Sequence, residues 1–267
     1  MLKNIKKTII YNIFVNLVYR IVYRPKWHTI KRGVLLNNKL FISNTGIWRE
    51  MISGNYDDFF ADYFKKNSII GKTIYDVGAH IGYSSMLFAK LVGPMGKVFS
   101  FEPSIFNKKR FELILKKNKE LGEIIKIYEI AISDKVGEDA FIFNSNVDSS
   151  KSSGSFIEKS HTFFEKKIYE NSMGFKRSKV KTINLDSLHL IGISDKPDII
   201  KIDIEGAEFL ALRGGMQTLL KYKPILLIEV HSIFNMHQLC EILFNINYKI
   251  KILKEESDGR CFISAHP

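Results

Sequence analysis

The chain reads as an α/β protein with a Rossmann-like, mostly parallel sheet of seven strands, closed by an antiparallel hairpin and preceded by an N-terminal attachment. Three observations predict this. From Thr73 onward short apolar runs alternate with helical patterns, the signature of a parallel sheet. The first run, residues 74–77, breaks at Gly78 and Gly82 into a helix-compatible run over 83–91, so strand, tight turn and helix follow directly. A second apolar run, 98–101, ends in Glu102 and Pro103, where an acid is placed to take both hydroxyls of a ribose.

A length of 267 residues suits one domain with attachments, and 45% apolar content supplies one sizeable core. The net charge of +12 would serve nucleic acid, anionic lipid or an acidic substrate. Its lysines are scattered among Ile, Asn and Phe, however, which a compositionally biased genome also produces. Cys240 and Cys261 lack a C-x-x-C partner, which favours a reduced, cytoplasmic compartment and disfavours structural zinc.

Residues 1–24 carry Lys3, Lys6 and Lys7 and an apolar row of Ile5, Ile9, Ile13, Leu17 and Ile21. The stretch is too short and polar to span a bilayer and is followed by no small-residue cleavage site. It reads as a helix that either docks on the protein body or rests peripherally on a membrane surface. Residues 33–43 read as a short hairpin around Asn37-Asn38, and 47–66 as helical segments broken at Gly54-Asn55. Residues 1–70 thus form an attachment that caps the sheet and could close over a cofactor, and 71–267 the main domain.

After the 98–101 strand come a helix over 107–118 and strands near 125–132 and 140–143. Residues 144–179, rich in Ser and Lys, read as an insertion, either a solvated loop or a lid. Order resumes at 180–188. A buried strand follows at 198–204, then a helical region over 206–220 interrupted by Gly214-Gly215, a strand at 225–230 and a helix at 237–245. Residues 249–253 and 261–264 pair around Ser257-Asp258-Gly259.

The glycine loop reads D-x-G-x-x-x-G, with His80 in place of the middle glycine that admits a dinucleotide pyrophosphate. Asp76 would repel a pyrophosphate but welcome a cationic amino-acid tail, which suits S-adenosylmethionine (SAM). The expected cofactor set is Asp76, Gly78, His80, Gly82, Tyr83 and Ser84 in the helix's first turn, Glu102, Pro103, Ala131 and Asp203. In an extended run Lys201, Asp203 and Glu205 share one face, so charges crowd a strand's carboxyl end, the edge where open α/β sheets bind ligands. Glu229 and His231 repeat the pattern downstream, and His231 could titrate near neutrality and accept a proton. The structural alternatives are a helix cap and an ion pair to Lys201 for Asp203, and helix caps for Glu205 and Glu208.

DVGAHIG at 76–82, FEP at 101–103, INLDSL at 183–188, IIKIDIEGAEFLALRGG at 199–215 and ILLIEVH at 225–231 together resemble the FkbM family of SAM-dependent methyltransferases. The resemblance covers roughly 70–232 and is most specific at KIDIEGAE. It implies a class I methyltransferase sheet and O-methylation of a hydroxyl on a sugar, glycan or natural product. By position it implies that Asp76, Gly78, Gly82 and Glu102 hold the cofactor and that Asp203, Glu205 and Glu208 border the reaction centre. His80 stands where such proteins commonly have Asn.

Methyl transfer from a sulfonium needs the acceptor oxygen held in line behind the methyl carbon. A sugar hydroxyl also needs its proton drawn off, and His231 or Asp203 is the expected base. The alternative is Mg or Mn held by some of Asp203, Glu205, Glu208 and His231. Two rival functions stand beside this one. An RNA or other nucleic-acid methyltransferase fits the charge, but the chain lacks an Asn/Asp-Pro-Pro-Tyr/Phe tetrapeptide, a cysteine at a strand end and a dense basic stripe. A silent SAM-fold binding protein would not be expected to keep Asp76, Gly82, Glu102 and Asp203.

Overall fold

The structure, a computed structural model, describes residues 24–65, 68–144, 154–160 and 175–267. The expected N-terminal amphipathic helix falls almost wholly outside them. Among the described residues no helix is long and apolar enough to cross a membrane.

The chain opens with two antiparallel strands, β1 (Lys26–Thr29) and β2 (Lys39–Ile42), paired Thr29 to Lys39. The hairpin therefore starts earlier than its sequence pattern suggests. Residues 33–36 belong to its connection, where Leu36 N bonds Gly33 O, and Asn37 takes a left-handed φ of 71°. Helices α1 (Ile47–Ser53) and α2 (Asp58–Phe64) follow, separated where Gly54 takes φ 86° and caps α1.

The main sheet begins with β3 (Thr73–Val77), α3 (Tyr83–Val92), β4 (Lys97–Phe101), α4 (Ile105–Leu115), α5 (Lys119–Gly122) and β5 (Ile125–Tyr128). The expected single strand over 125–132 is broken after Tyr128. β6 (Ala131–Ile132) instead joins a second, four-stranded sheet with β7 (Gly137–Asn144), β8 (Phe156–Ile157) and β9 (Phe175–Ile183), in the order β6-β9-β7-β8. The 144–179 segment is thus built partly into a sheet, with β9 beginning at Phe175 opposite Asn144. The chain returns through β10 (Ile199–Ile202), α6 (Glu208–Arg213), α7 (Met216–Tyr222), β11 (Ile225–Val230), α8 (Ile233–Asn245), β12 (Lys249–Glu255) and β13 (Cys261–His266).

The seven-stranded sheet runs β12-β13-β11-β10-β3-β4-β5. β5, β4, β3, β10 and β11 are parallel, and β13 runs against both its neighbours. Successive crossovers leave β3 first toward β4, then from the far side toward β10, so the switch point lies at the carboxyl ends of β3 and β10. A ligand crevice is expected there.

Side-chain alternation divides the core into two layers. Ile74, Val98, Ile199 and Leu227 point to one face of the sheet, where they join Trp48, Phe60, Phe64 and Phe88. Tyr75, Phe99, Ile200, Leu226 and Ile228 point to the other, against α6, α7 and α8. Residues 30–64 therefore share a core with the main sheet. Phe60, fully buried, packs its ring 5.6 Å from Phe88 and 5.9 Å from Phe262. Phe60→Ala is expected to cost about 3 to 5 kcal/mol and to leave urea unfolding a single transition. A separate early transition would show that the N-terminal segment unfolds as its own unit.

Candidate active site

A polar row crosses the sheet beneath α3. Ser100, Asp76 and Lys201 are register partners on β4, β3 and β10, one residue before each strand ends, and all are buried. Lys201 Nζ lies 3.4 Å from Asp76 Oδ1 and 3.1 Å from Asp203 Oδ2, and donates to Gly78 O at 3.3 Å. Burial works to lower the Lys201 pKa, but Asp203, Asp76 and Asp57 outweigh it and raise it, so the ammonium stays charged. Asp76 Oδ2 accepts from Ser85 Oγ on α3, which also meets Ser100 Oγ at 2.8 Å. The Asp76 carboxylate is buried in this row, with Oδ1 left without a hydrogen-bond partner, and Asp76 is not among the residues that line the cleft.

The glycine loop sits over this row. Gly78, His80 and Gly82 take φ of 87°, 52° and 88°, all left-handed. A Cβ on Gly78 would lie 1.8 Å from Asp203 O, so glycine alone lets β3 and β10 end side by side. Histidine, like asparagine, tolerates a left-handed φ better than most residues, which accounts for His80 in that place. Its ring stacks on Trp48 at 5.5 Å, and burial lowers its pKa to about 3, so it is neutral. Its backbone N–H donates to Glu102 Oε2 at 2.9 Å.

Glu102, at the end of β4, also accepts from Ser104 N at 2.8 Å and Asn107 Nδ2 at 3.2 Å. Burial nevertheless raises its pKa to about 7. Ser104 caps α4 by accepting from Asn107 N, and the buried Asn107 Oδ1 has no hydrogen-bond partner.

A cleft enclosing about 940 Å³, open solvent at its mouth included, lies above these strand ends. Gly78, His80, Tyr83, Ser84, Glu102, Pro103, Ala131 and Asp203, all expected cofactor residues, line it, as does Glu205. Ser84 Oγ donates to Asp57 Oδ2 at 2.7 Å. Sequence patterns did not point to Tyr56, Asn107 or Arg260, which line it too. Tyr56 comes from the N-terminal attachment. Arg260 comes from the β12–β13 turn and reaches Glu229 Oε1 at 2.5 Å only because β13 pairs with β11. Glu229 was visible as an alternation partner of His231, but it is Glu229 that faces the cleft. Burial and the neighbouring Asp203 raise its pKa.

Glu208 and His231 do not line the cleft. Glu208, fully buried, accepts on Oε1 from Ile204 N and Gly206 N, each at 3.1 Å, pairs there with His231 Nδ1 at 3.0 Å, and takes Asn235 Nδ2 on Oε2. It therefore supports the loop after β10 and has no free oxygen for a reacting group. β10 ends at Ile202, and Glu205 turns left-handed at φ 54°, so the extended alternation expected through residue 205 stops after Asp203. Glu205 still converges on the group: His231 Nε2 lies 3.5 Å from Glu205 Oε2 and 3.8 Å from Asp203 Oδ1. Burial would lower the His231 pKa, but Glu208, Glu205 and Asp203 raise it well above the usual imidazole range. His231 is thus cationic at neutral pH, contrary to its expected titration there. The Asp203 pKa is lowered because Lys201 and His231 outweigh its burial.

Replacing Lys201 by Met strands a buried carboxylate at Asp76. The expected loss is about 3 to 5 kcal/mol by urea unfolding, and Asp76→Asn added to Lys201→Met should recover part of it. Additive losses would mean that the two charges are not coupled.

The family model described as Methyltransferase FkbM domain matches residues 76–250. Among solved structures, the chain is similar to methyltransferase FkbM from Methylobacillus flagellatus KT, with 18% identity and a TM-score of 0.52 over 73% of this chain and 43% of that one. The chain thus spans less than half the length of that protein. It is also similar to precorrin-6y C5,15-methyltransferase from Geobacter metallireducens GS-15, at 11% identity and TM-score 0.47 over 82% and 93% of the two chains. A SAM-dependent O-methyltransferase from Thermotoga maritima gives 11%, 0.45, 78% and 64%. No curated protein matches the sequence. At 18% identity the likeness to the Methylobacillus flagellatus protein is one of fold.

Proposed function

We propose, from the premise that the chain belongs to the FkbM family of SAM-dependent methyltransferases, that it methylates a hydroxyl oxygen of a small acceptor such as a sugar, glycan or natural product. The support is the cleft at the β3–β10 switch point, lined by the glycine loop, by Glu102 at the end of β4 and by Asp203 and Glu205 after β10, the edge where open α/β sheets bind ligands. Asp203, whose pKa Lys201 and His231 lower, keeps a carboxylate there that suits a cationic cofactor.

The residues present fit SAM. Glu102 retains acceptor capacity beyond its donors His80, Ser104 and Asn107, and the unpartnered Asn107 Oδ1 beside it adds another acceptor for a ribose diol. Asp203 and Glu205, which line the cleft after β10, suit the ammonium and sulfonium charges. SAM supplies an electrophilic methyl group whose C–S bonding pair returns to sulfur, leaving S-adenosylhomocysteine.

The protein's part is to hold the acceptor oxygen in line, exclude water and accept the hydroxyl proton as the O–C bond forms. Asp203 and Glu205, which line the cleft, are assigned to the acceptor side. Behind them His231, while Nε2 holds its proton, orients both carboxylates, and Glu208 fixes His231.

Glu102→Ala is expected to weaken SAM affinity about 10- to 100-fold, from the loss of charged hydrogen bonds worth roughly 1.5 to 3 kcal/mol. Protonation removes an acceptor, so in the parent the affinity should also fall as pH drops through about 7, where Glu102 titrates. Calorimetry at pH 8 and pH 6 checks both, and unchanged affinity in the variant would remove Glu102 from the cofactor site. Asp203→Asn should lower turnover at saturating SAM about 10²- to 10⁴-fold, followed as S-adenosylhomocysteine release on a hydroxyl acceptor. Parental turnover in Asp203→Asn would return Asp203 to a structural ion pair.

A further inference from the structure

We propose that Asp203, Glu205 and the His231 Nε2 atom form a site for one divalent transition-metal cation on the acceptor side of the cleft. One ligand atom from each residue lies within 4.8 Å of the others. Ligands about 2.0 to 2.2 Å from a metal stand roughly 3 Å apart when adjacent. The His231 Nε2 distances of 3.5 Å to Glu205 and 3.8 Å to Asp203 close to that with side-chain shifts alone.

A second observation points to a ligand. The His231 side chain is only 10% exposed, and its Nε2, aimed among the carboxylates, has no hydrogen-bond partner. Buried polar atoms are rarely left so, and a cation there would displace the Nε2 proton that the neighbouring carboxylates otherwise hold. Its other nitrogen, Nδ1, is paired with the fully buried Glu208 at 3.0 Å, the carboxylate–histidine arrangement that orients an imidazole toward a metal. Glu208 also takes the N–H groups of Ile204 and Gly206, which flank Glu205, so one carboxylate fixes two of the three ligands.

The carboxylate oxygens nearest His231 match this arrangement. Asp203 Oδ2 is engaged by Lys201, leaving Oδ1 toward His231. Glu229 Oε1 lies equally near, 3.8 Å from His231 Nε2, but is engaged by Arg260, which makes Glu229 a neighbour of the site and not one of its ligands. One imidazole with two carboxylates and no thiolate suits Mn²⁺, Fe²⁺ or Zn²⁺ better than Mg²⁺, which takes oxygen ligands almost exclusively. What such a cation would do, polarise the acceptor hydroxyl so that its proton leaves more readily, rests on the methyl-transfer reading above. Whether it binds does not.

Mn²⁺ alone is titrated into the full chain, without cofactor or acceptor, by calorimetry and by loss of the free-ion electron paramagnetic resonance signal. One Mn²⁺ per chain is expected. His231→Gln and Glu205→Gln should each weaken it at least about 10-fold, and Glu208→Gln about 10- to 100-fold. Circular dichroism and S-adenosylhomocysteine affinity establish that each variant is folded. Should His231→Gln not fold, Glu205→Gln, whose side chain is 24% exposed, carries the test. No binding by the parent at millimolar Mn²⁺, or parental affinity in the folded variants, overturns the site. SAM binding by a chain that takes no Mn²⁺ overturns the metal site and leaves methyl transfer standing, whereas Mn²⁺ binding without SAM binding does the reverse.

Discussion

A lysine ammonium buried between two strands constrains this end of the molecule. Moving an unpaired ammonium out of water costs several kcal/mol, so Lys201 is tolerable only with its anionic partners in place. Those partners, Asp76 on β3 and Asp203 just past β10, come from the two strands whose ends meet at the switch point. The ion pairs therefore do more than neutralise a charge: they tie together the strand ends that form the floor of the cleft. Gly78 belongs to the same constraint, because Asp203 O occupies the place where its side chain would go.

Above that floor a second buried carboxylate organises the next level. Glu208 gathers the N–H groups of the 204–206 turn, His231 and Asn235 into one hydrogen-bonded group. A half-satisfied group at that depth would be costlier than an apolar core, which makes such a network rigid when complete. The result is a division of labour among the acids of the KIDIEGAE segment. Glu208 is turned inward and supports, whereas Asp203 and Glu205 face the cleft. The N-terminal attachment completes the wall with Ile47, Met51 and Tyr56, so cleft and attachment are held by one core.

Much of this was legible in the chain because the signals were local. The strands at 73–77 and 225–230 follow from apolar runs bounded by glycine or proline, and the break at Gly54 from a residue that caps a helix with a left-handed φ. Where pairing partners lie far apart or patterns are weak, local signals misled. The four residues of β1 carry three polar or charged side chains and no apolar run, and only pairing with β2 makes them a strand. The Ser/Lys-rich composition around 144–179 speaks of solvent, yet β9 is recruited by pairing along β7.

The sequence by itself determined the order of strands and helices, the glycine loop with its left-handed positions, and the crowding of acids at the ends of β4, β10 and β11, because each depends on residues near one another in the chain. Tertiary structure decided which of those acids is available. Asp76 and Glu208 look as free as Asp203 and Glu205 in a linear pattern, but Lys201 and Ser85 claim the first, and His231, Asn235 and two backbone amides claim the second. It likewise decided the pKa of His231, which the convergence of Glu208, Glu205 and Asp203, with Glu229 beside them, raises against the cost of burial. Electrostatic character depends on distances in space, and the chain states only distances along itself.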